Sequence, residues 1–241
     1  NVAILARQDA YGETLAKEIS KNLKNAGSTV AANVLYSEKT GPGDSQITEV
    51  ADSKPDAVVL VAFEETTTIV PKLIQAGVGP KNVPTYFVDG NTANYGKGDA
   101  ATLPDGTLEG TKGTIPGAEA AQDFKDRLAT VNPDLKDYSY SAESYDATVT
   151  SALAAIVAGD DSGTAIAKAL PSVTEGGEKC DSFEACAALL KDDPKTDIDY
   201  DGVSGPIELG KTGSPTAASI GIYEYDSKNK IKPVKYIAGK I

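Results

Sequence analysis

Residues Pro55–Gly77 read PDAVVLVAFEETTTIVPKLIQAG and contain the two kinds of element from which the fold follows. The run Ala57–Ala62 is continuously apolar, which is typical of a strand that is buried on both faces of a sheet. Thr66–Ala76 then has a helical pattern, and Gly77 follows as a helix stop. A buried strand followed at once by a helix indicates a βαβ unit and therefore a parallel sheet covered by helices.

The same alternation of strands and helices extends to both sides of this stretch. Further strands are predicted at Val2–Leu5, Val30–Tyr36 and Thr85–Val88, with helices through Leu15–Ala26 and from Asp44 or Ser45 to Val50. After a Gly- and Thr-rich irregular stretch, Asn91–Gly117, helices are predicted at 118–131, 141–158, 164–173 and 183–190, and a closing β-hairpin at 220–225 and 231–237. The pattern predicts an α/β fold with a parallel sheet flanked by helices.

Composition limits the classes of partner. The 241 residues carry a net charge of −12, and no local cluster of Lys and Arg offsets it. An acidic surface repels the phosphates of nucleic acid, so a DNA or RNA partner is not expected. No apolar run approaches the roughly 20 residues of a membrane span, so no direct span is expected.

The absence of histidine limits the chemistry of the chain. It removes the most frequent general base and metal ligand, and any catalytic arrangement that requires histidine. The two cysteines, Cys180 and Cys186, have only five residues between them. A disulfide that closes a small loop is favoured over two free thiols, and it would indicate an oxidising, extracytoplasmic compartment.

The sequence disfavours two kinds of ligand site, a calcium site and a nucleotide site. The EF-hand pattern D-x-D-x-D-G-x5-E is matched at Asp197, Asp199, Asp201, Gly202 and Glu208. Pro206 inside the loop and Gly210–Pro215 after it argue against an exit helix, so an acidic turn leading into a short strand around Ile207 is favoured over a calcium site. The turn after the first strand has only Gly12, without a G-x-G-x-x-G or Walker lysine motif, so nucleotide binding is not expected.

Side chains that follow the predicted strands are candidates for binding. Glu64 and Glu65 follow one strand and Asp89 follows another, and loops at the carboxyl ends of parallel strands form the ligand crevice. These carboxylates could act as acid and base, pair with a bound ammonium group, or simply be solvated, and position alone favours a solvated Glu65. The aromatics Tyr11, Phe63 and Tyr95 lie in or near the same kind of loop, as either cleft walls or loop fillers.

The ordered set of motifs resembles type I periplasmic binding proteins of the branched-chain amino acid class. The matching stretches are VAILARQDAYGETLAKEISKNLKNAG, PDAVVLVAFEETTTIVPKLIQAG, PTYFVDGNTANYG, LEGTKGTIPG, YSAESYDATVTSALA and DGVSGPIELGKTGSPTAASIGIYEY. The resemblance covers nearly the whole chain, and it rests on the order and spacing of these stretches because no single motif is decisive.

The resemblance implies two α/β lobes with a ligand held between them. Residues 1–138 and 216–241 would form the second lobe, and residues 139–215 would be the returning part of an incomplete first lobe. The helices of that returning part would lack their sheet and would expose an apolar face.

The resemblance also implies roles for individual residues. Tyr11, in a Y-G-E pattern, would pack on the ligand and hydrogen-bond to it, and Phe63 would stand where a tyrosine is frequent. Asp89 would pair with the ligand's α-ammonium group in place of a longer glutamate, and Glu64 lies beside Phe63 in the same loop.

The expected function is that of a non-enzymatic, extracytoplasmic component of an ABC importer. It would bind an amino acid, branched-chain or similar, between the lobes and present it to a membrane permease, without cofactor or metal. The alternative is a ligand-sensing domain of a receptor with the same fold. An enzyme that uses Glu64 and Asp89 is disfavoured, because histidine and a G-x-S-x-G nucleophile motif are absent.

Overall fold

The computed structural model describes residues 1–193 and 195–240. The strands lie at Val2–Gln8 (β1), Val30–Ser37 (β2), Ala57–Val61 (β3), Thr85–Phe87 (β4), Lys112–Pro116 (β5), Glu178–Cys180 (β6), Ile198–Gly202 (β7), Gly205–Pro206 (β8), Ala217–Tyr225 (β9) and Ile231–Lys240 (β10). The helices lie at Ala10–Asn25 (α1), Asp44–Asp52 (α2), Thr66–Gln75 (α3), Gln122–Val131 (α4), Ser141–Ala158 (α5), Gly163–Ala169 (α6) and Phe183–Asp192 (α7).

The chain divides into two compact units. Residues 1–115 and 222–235 form the first unit, and residues 116–221 with the chain from Tyr236 onward form the second. The larger sheet has the strand order β10-β9-β5-β4-β3-β1-β2. The pairs β1–β2, β1–β3, β3–β4 and β4–β5 are all parallel, so the predicted parallel sheet flanked by helices is confirmed.

Strand β1 shows why its sequence is apolar without alternation. Ala3 and Leu5 belong to the core that α2 and α3 cover, whereas Ile4 and Ala6 belong to the core beneath α1. All four side chains are fully buried. Because successive side chains point to opposite faces, a strand with helices on both sides needs an apolar residue at every position.

The structure differs from the sequence prediction between residues 91 and 131. The stretch predicted to be irregular, Asn91–Gly117, contains strand β5, in which Gly113 lies so close to Thr92 that a Cβ atom would be 2.1 Å from its hydroxyl oxygen. This close approach explains the weak apolar pattern of the strand, because glycine replaces a packed side chain there. Helix α4 begins at Gln122, whereas the prediction placed its start at residue 118.

The second unit contains a small sheet that the sequence analysis did not predict. Its order is β6-β7-β8, with β6 parallel and β8 antiparallel to β7. Helix α5 packs on the same core as β7. Two apolar residues of α5, Ile156 and Val157, are 47% and 37% exposed. That these helices lack the sheet of their lobe stays a prediction.

The compact units do not divide the chain where the predicted lobes do. The predicted boundary follows residue 138, whereas residues 116–138 belong to the second unit in the structure. The rings of Phe124 in α4 and Tyr145 in α5 lie 5.4 Å apart, and this contact joins α4 to the second unit. The assignment of 1–138 and 216–241 to one lobe and 139–215 to the other stays a prediction.

Candidate functional site

The carboxyl ends of β1, β2, β3 and β4 lie at one edge of the larger sheet, because these strands are parallel. The chain leaves each strand there in a short loop, and such an edge is where open α/β sheets hold ligands. The residues that follow these strands and carry polar or aromatic side chains are Asp9, Tyr11, Glu38, Phe63, Glu64, Glu65 and Asp89. All of them belong to the first unit.

Tyr11 and Asp89 are joined directly. Asp9 caps helix α1 by accepting a hydrogen bond from the Gly12 N–H at 2.7 Å, which places Tyr11 in the first turn. The Tyr11 hydroxyl donates to Oδ1 of Asp89, and the Gly90 N–H donates to the same hydroxyl oxygen at 3.4 Å. The loops after β1 and β4 are therefore held together at this edge by one phenol group.

Phe63 packs beside this pair. Its ring centroid lies 5.1 Å from that of Tyr11, with the planes inclined at 48°. A Cβ atom at Gly90 would lie 2.9 Å from the Phe63 ring and 2.8 Å from the Ala62 carbonyl oxygen, so glycine permits this approach. The structure thus brings together Tyr11, Phe63 and Asp89, the three residues to which the resemblance assigns the ligand.

The two glutamates after β3 differ from each other. Glu64 is exposed, and its backbone carbonyl accepts from the Thr67 N–H at 3.3 Å as α3 begins. Glu65 is half-buried, and its Oε1 accepts a hydrogen bond of 2.8 Å from the Tyr36 hydroxyl. The expectation of a solvated Glu65 is therefore wrong, and it is Glu65 that joins the network at the strand ends.

Arg7 lies at the centre of an ionic cluster that sequence analysis did not identify. Its guanidinium nitrogens lie 2.7 Å from Asp9, 3.0 Å from Glu38 and 3.8 Å from Glu65. The guanidinium carbon also lies 5.0 Å from the centre of the Phe63 ring. The sequence feature that could have identified Arg7 is its position near the carboxyl end of β1, since position at a strand end is also what made Asp89 a candidate.

Tyr36 anchors Glu65 from the neighbouring strand. The Val61 carbonyl oxygen lies 3.2 Å from the Tyr36 hydroxyl oxygen, farther than Glu65 Oε1, to which the single O–H donates. Burial, together with the hydrogen bond to Glu65 and the charge of that carboxylate, raises the pKa of Tyr36 well above its ordinary value. Tyr36 therefore keeps its hydroxyl hydrogen at neutral pH and can donate it to Glu65.

Tyr95 is not part of the site. It is 3% exposed, and its hydroxyl donates to the Asn91 carbonyl at 2.9 Å. Its ring packs near Phe87 and Tyr225. Burial raises the pKa of Tyr95 to about 12. Tyr95 was a candidate either for a cleft wall or for a side chain that fills a loop, and the structure supports a packing role because the side chain is buried in the core.

The acidic stretch that matches the EF-hand pattern forms a strand. Asp199 and Asp201 lie in β7, and Lys179 of β6 contacts their carboxylates at 2.9 and 2.8 Å. The short strand expected around Ile207 lies at Gly205–Pro206 (β8), directly before that residue. In the part of the chain that the structure describes, no group of three or more acidic or cysteine side chains is placed to hold a metal ion.

Cys180 and Cys186 form the predicted disulfide, with their Cα atoms 5.3 Å apart. The bond ties β6 to the second turn of α7, and both cysteines are buried. Among residues 1–193 and 195–240, no helix is long and apolar enough to cross a membrane.

Comparison with known proteins identifies the class. The family model described as periplasmic binding protein matches residues 1–185. Solved structures with the same fold include the leucine-binding protein LivK of Thermotoga maritima, with a TM-score of 0.69, 16% identity, and coverage of 98% of this chain and 60% of that one. No curated protein matches the sequence.

Two further structures have ligands named in their descriptions. An ABC transporter substrate-binding protein of Desulfitobacterium hafniense, in complex with leucine, has a TM-score of 0.62 and 15% identity over 97% of this chain and 59% of its own. A solute-binding protein of an ABC transporter from Rhodopseudomonas palustris BisB5, in complex with 3,4-dihydroxybenzoic acid, has a TM-score of 0.66 and 12% identity over 99% and 60%.

The chain belongs to the periplasmic binding protein family, an extracytoplasmic class of solute-binding proteins. Its fold is that of the type I members, so the resemblance found in the sequence is confirmed. The chain spans about 60% of the length of these solved relatives.

Proposed function

We propose that this chain acts as the extracytoplasmic substrate-binding component of an ABC importer and that it binds an amino acid through Asp89, Tyr11 and Phe63. The observation that carries the proposal is the contact of Tyr11 with both Asp89 and Phe63 at the strand ends of the larger sheet. A carboxylate beside aromatic rings suits a ligand that has an ammonium group next to an apolar side chain.

Each side chain has a separate role in this proposal. The Asp89 carboxylate would accept charge-assisted hydrogen bonds from the ligand's ammonium group. The Tyr11 hydroxyl, which already donates to Asp89, would fix the direction of that carboxylate. Phe63 would supply an apolar wall for the ligand's side chain, and its lack of a hydroxyl removes one polar contact.

The ligands of the two related structures differ in whether they have an ammonium group. The Desulfitobacterium protein is described as a complex with leucine, whereas the Rhodopseudomonas protein is described as a complex with an aromatic acid that has no ammonium group. An acidic residue at the position of Asp89 favours the first kind of ligand, since a carboxylate repels an aromatic acid.

The assignment of lobes is part of the same proposal. Residues 1–138 and 216–241 would supply the lobe that holds the ammonium group, and residues 139–215 would belong to the lobe that closes on it by hinge bending. The closed, ligand-bound form would then be presented to a membrane permease. Because the residues that hold the ligand's carboxylate are not assigned in this chain, we expect binding weaker than micromolar from the 241 residues alone.

Ligand-observed NMR and calorimetry at millimolar ligand test the proposal. Leucine, isoleucine and valine are compared with 4-methylpentanoic acid, which is leucine without its ammonium group. Asp89→Asn is expected to weaken leucine binding by about 10-fold or more, because a charge-assisted hydrogen bond is lost, and to leave the deaminated acid no worse bound.

Asp52→Asn is a matched control, because Asp52 is an exposed carboxylate at the end of α2 and the change removes the same charge. It is expected to leave binding unchanged. If no amino acid binds even at millimolar concentration, or if Asp89→Asn binds leucine as well as the unaltered chain does, the proposal fails.

A further inference from the structure

Arg7 contacts the ring of Phe63 in the candidate site, although Arg7 is not among the residues assigned to the ligand. We propose that Arg7 is a positioning residue that holds the ring of Phe63 in place before the ligand arrives. This inference rests on the proposed function, since it assigns to Phe63 a role in ligand binding. It adds a residue that the family resemblance did not indicate. This residue would determine how firmly the Phe63 ring is held in its ligand-binding orientation.

The guanidinium of Arg7 is fixed from several directions. Asp9 approaches it at 2.7 Å from the cap of α1, Glu38 at 3.0 Å from beyond β2, and Glu65 at 3.8 Å from the start of α3. Glu65 is itself held by Tyr36 at 2.8 Å. Since β1 lies between β2 and β3 in the sheet, these partners flank Arg7 on both sides, and its side chain is only 25% exposed.

Phe63 needs such support because it is only half-buried. A ring at a loop with partial solvent access retains rotamer freedom that binding must remove. The Arg7 guanidinium lies 5.0 Å from the ring centre, within the range of a cation–π contact. Gly90 approaches the ring so closely that a Cβ atom would be 2.9 Å from it. The ring is thus held by Arg7, Tyr11 and the Gly90 backbone together.

Arginine suits this role better than lysine. A planar guanidinium can keep its face against an aromatic ring while its edges bind carboxylates, whereas an ammonium group is a compact point charge. The charge of Arg7 is already opposed by the three carboxylates around it. Its contribution to the binding of a zwitterion therefore comes through the Phe63 ring and not through its net charge.

A double-mutant cycle on leucine affinity tests the proposal. Arg7→Gln and Arg7→Lys are each made in the unaltered chain and in Phe63→Ala. Both changes at Arg7 are expected to weaken leucine binding by about three- to tenfold when Phe63 is present, and to have no effect in the Phe63→Ala background. Lys21→Gln, which removes one exposed positive charge from α1 at its ion pair with Glu18, should leave affinity unchanged.

The outcomes separate this proposal from a purely structural or electrostatic role. An Arg7 effect that persists in Phe63→Ala overturns it, because Arg7 then acts by another route. Full rescue of affinity by Arg7→Lys also overturns it, because charge and not the planar contact would be what matters.

A second measurement separates this inference from the proposed function. If the unaltered chain binds no amino acid, the proposed function fails, and the same two double-mutant cycles are read from urea unfolding. Coupling between the Arg7 and Phe63 substitutions then supports the positioning contact, and additive effects refute it.

Discussion

Replacing Asp146 with alanine is expected to destabilise the second unit by about 3 kcal/mol. Asp146 lies in α5 and is 2% exposed. Its carboxylate accepts hydrogen bonds from the Tyr200 hydroxyl at 2.7 Å, the Val203 N–H at 3.1 Å, and both the N–H and the hydroxyl of Ser204 at 2.7 and 2.5 Å. One side chain thus holds the turn between β7 and β8 against α5.

The magnitude follows from what alanine leaves behind. The Ser204 hydroxyl can turn to another partner, but the buried Tyr200 hydroxyl loses its acceptor, which costs about 1–3 kcal/mol. The two backbone N–H groups also lose their acceptor, at a smaller cost each, because their hydrogen bonds are only part-buried. Removal of a buried charge offsets part of this sum, because its desolvation cost disappears. Asp146→Asn is expected to cost less, about 2 kcal/mol, since its amide oxygen still accepts but its NH₂ group faces a donor.

Equilibrium urea unfolding followed by circular dichroism, without reductant, measures the effect. Asp126→Ala is the control in the same unit, because Asp126 is exposed and bonds only one turn away to Gln122 at 2.8 Å, so its loss should stay within about 0.5 kcal/mol. A cost below about 1 kcal/mol for Asp146→Ala would refute the reasoning that this carboxylate organises the turn.

Three further predictions concern both units. Gly12→Ala is expected to lower the melting temperature strongly, because the new Cβ would lie 2.0 Å from the Arg7 carbonyl oxygen. Gly163→Ala is the control, because a Cβ there meets nothing within 4 Å, and it should be neutral or stabilising. Thermal unfolding of both variants checks this. Reduction of the Cys180–Cys186 disulfide should cost about 2 kcal/mol, seen as a lower urea midpoint with dithiothreitol than without it. Burial raises the pKa of Tyr95 to about 12, so the stability that its protonated hydroxyl contributes is complete below pH of about 10 and is lost as pH rises towards 12. Unfolding at alkaline pH should therefore follow the ultraviolet signal of the phenolate. Tyr95→Phe should remove the share of the pH dependence of stability that comes from this tyrosine.

The sequence was most informative about elements whose pattern is local. The apolar run at Ala57–Ala62 and the caps and stops around it predicted β3 and α3, and the same criteria predicted most of the elements before residue 91. Strand β5 was missed because Gly113, at its closest contact, carries no side chain that could contribute to an apolar pattern. Strand β7 was missed because Asp199 and Asp201 gave it an acidic pattern, and only the folded chain shows Lys179 of β6 between them.

The candidate site was predictable in part. Tyr11, Phe63 and Asp89 are candidates because each follows a strand and parallel strands end at the same edge, and the family resemblance assigns the ligand to these three. The choice between Glu64 and Glu65 was not predictable, since it depends on which of the two faces Tyr36 as α3 begins. Whether any of these residues binds a ligand stays a prediction.

Pro55–Gly77 and the neighbouring stretches determined the class of fold. The periodicity of apolar residues shows that a strand is buried on two faces and that a helix is buried on one. They could not determine the order β3-β1-β2, which places Arg7 between the carboxylates that follow its neighbouring strands. That order is set by long-range packing, in which Arg7 becomes a neighbour of Glu38 and Glu65, which lie 31 and 58 positions further along the chain. Periodicity therefore shows which face of an element is buried, and only the tertiary structure decides which loops meet.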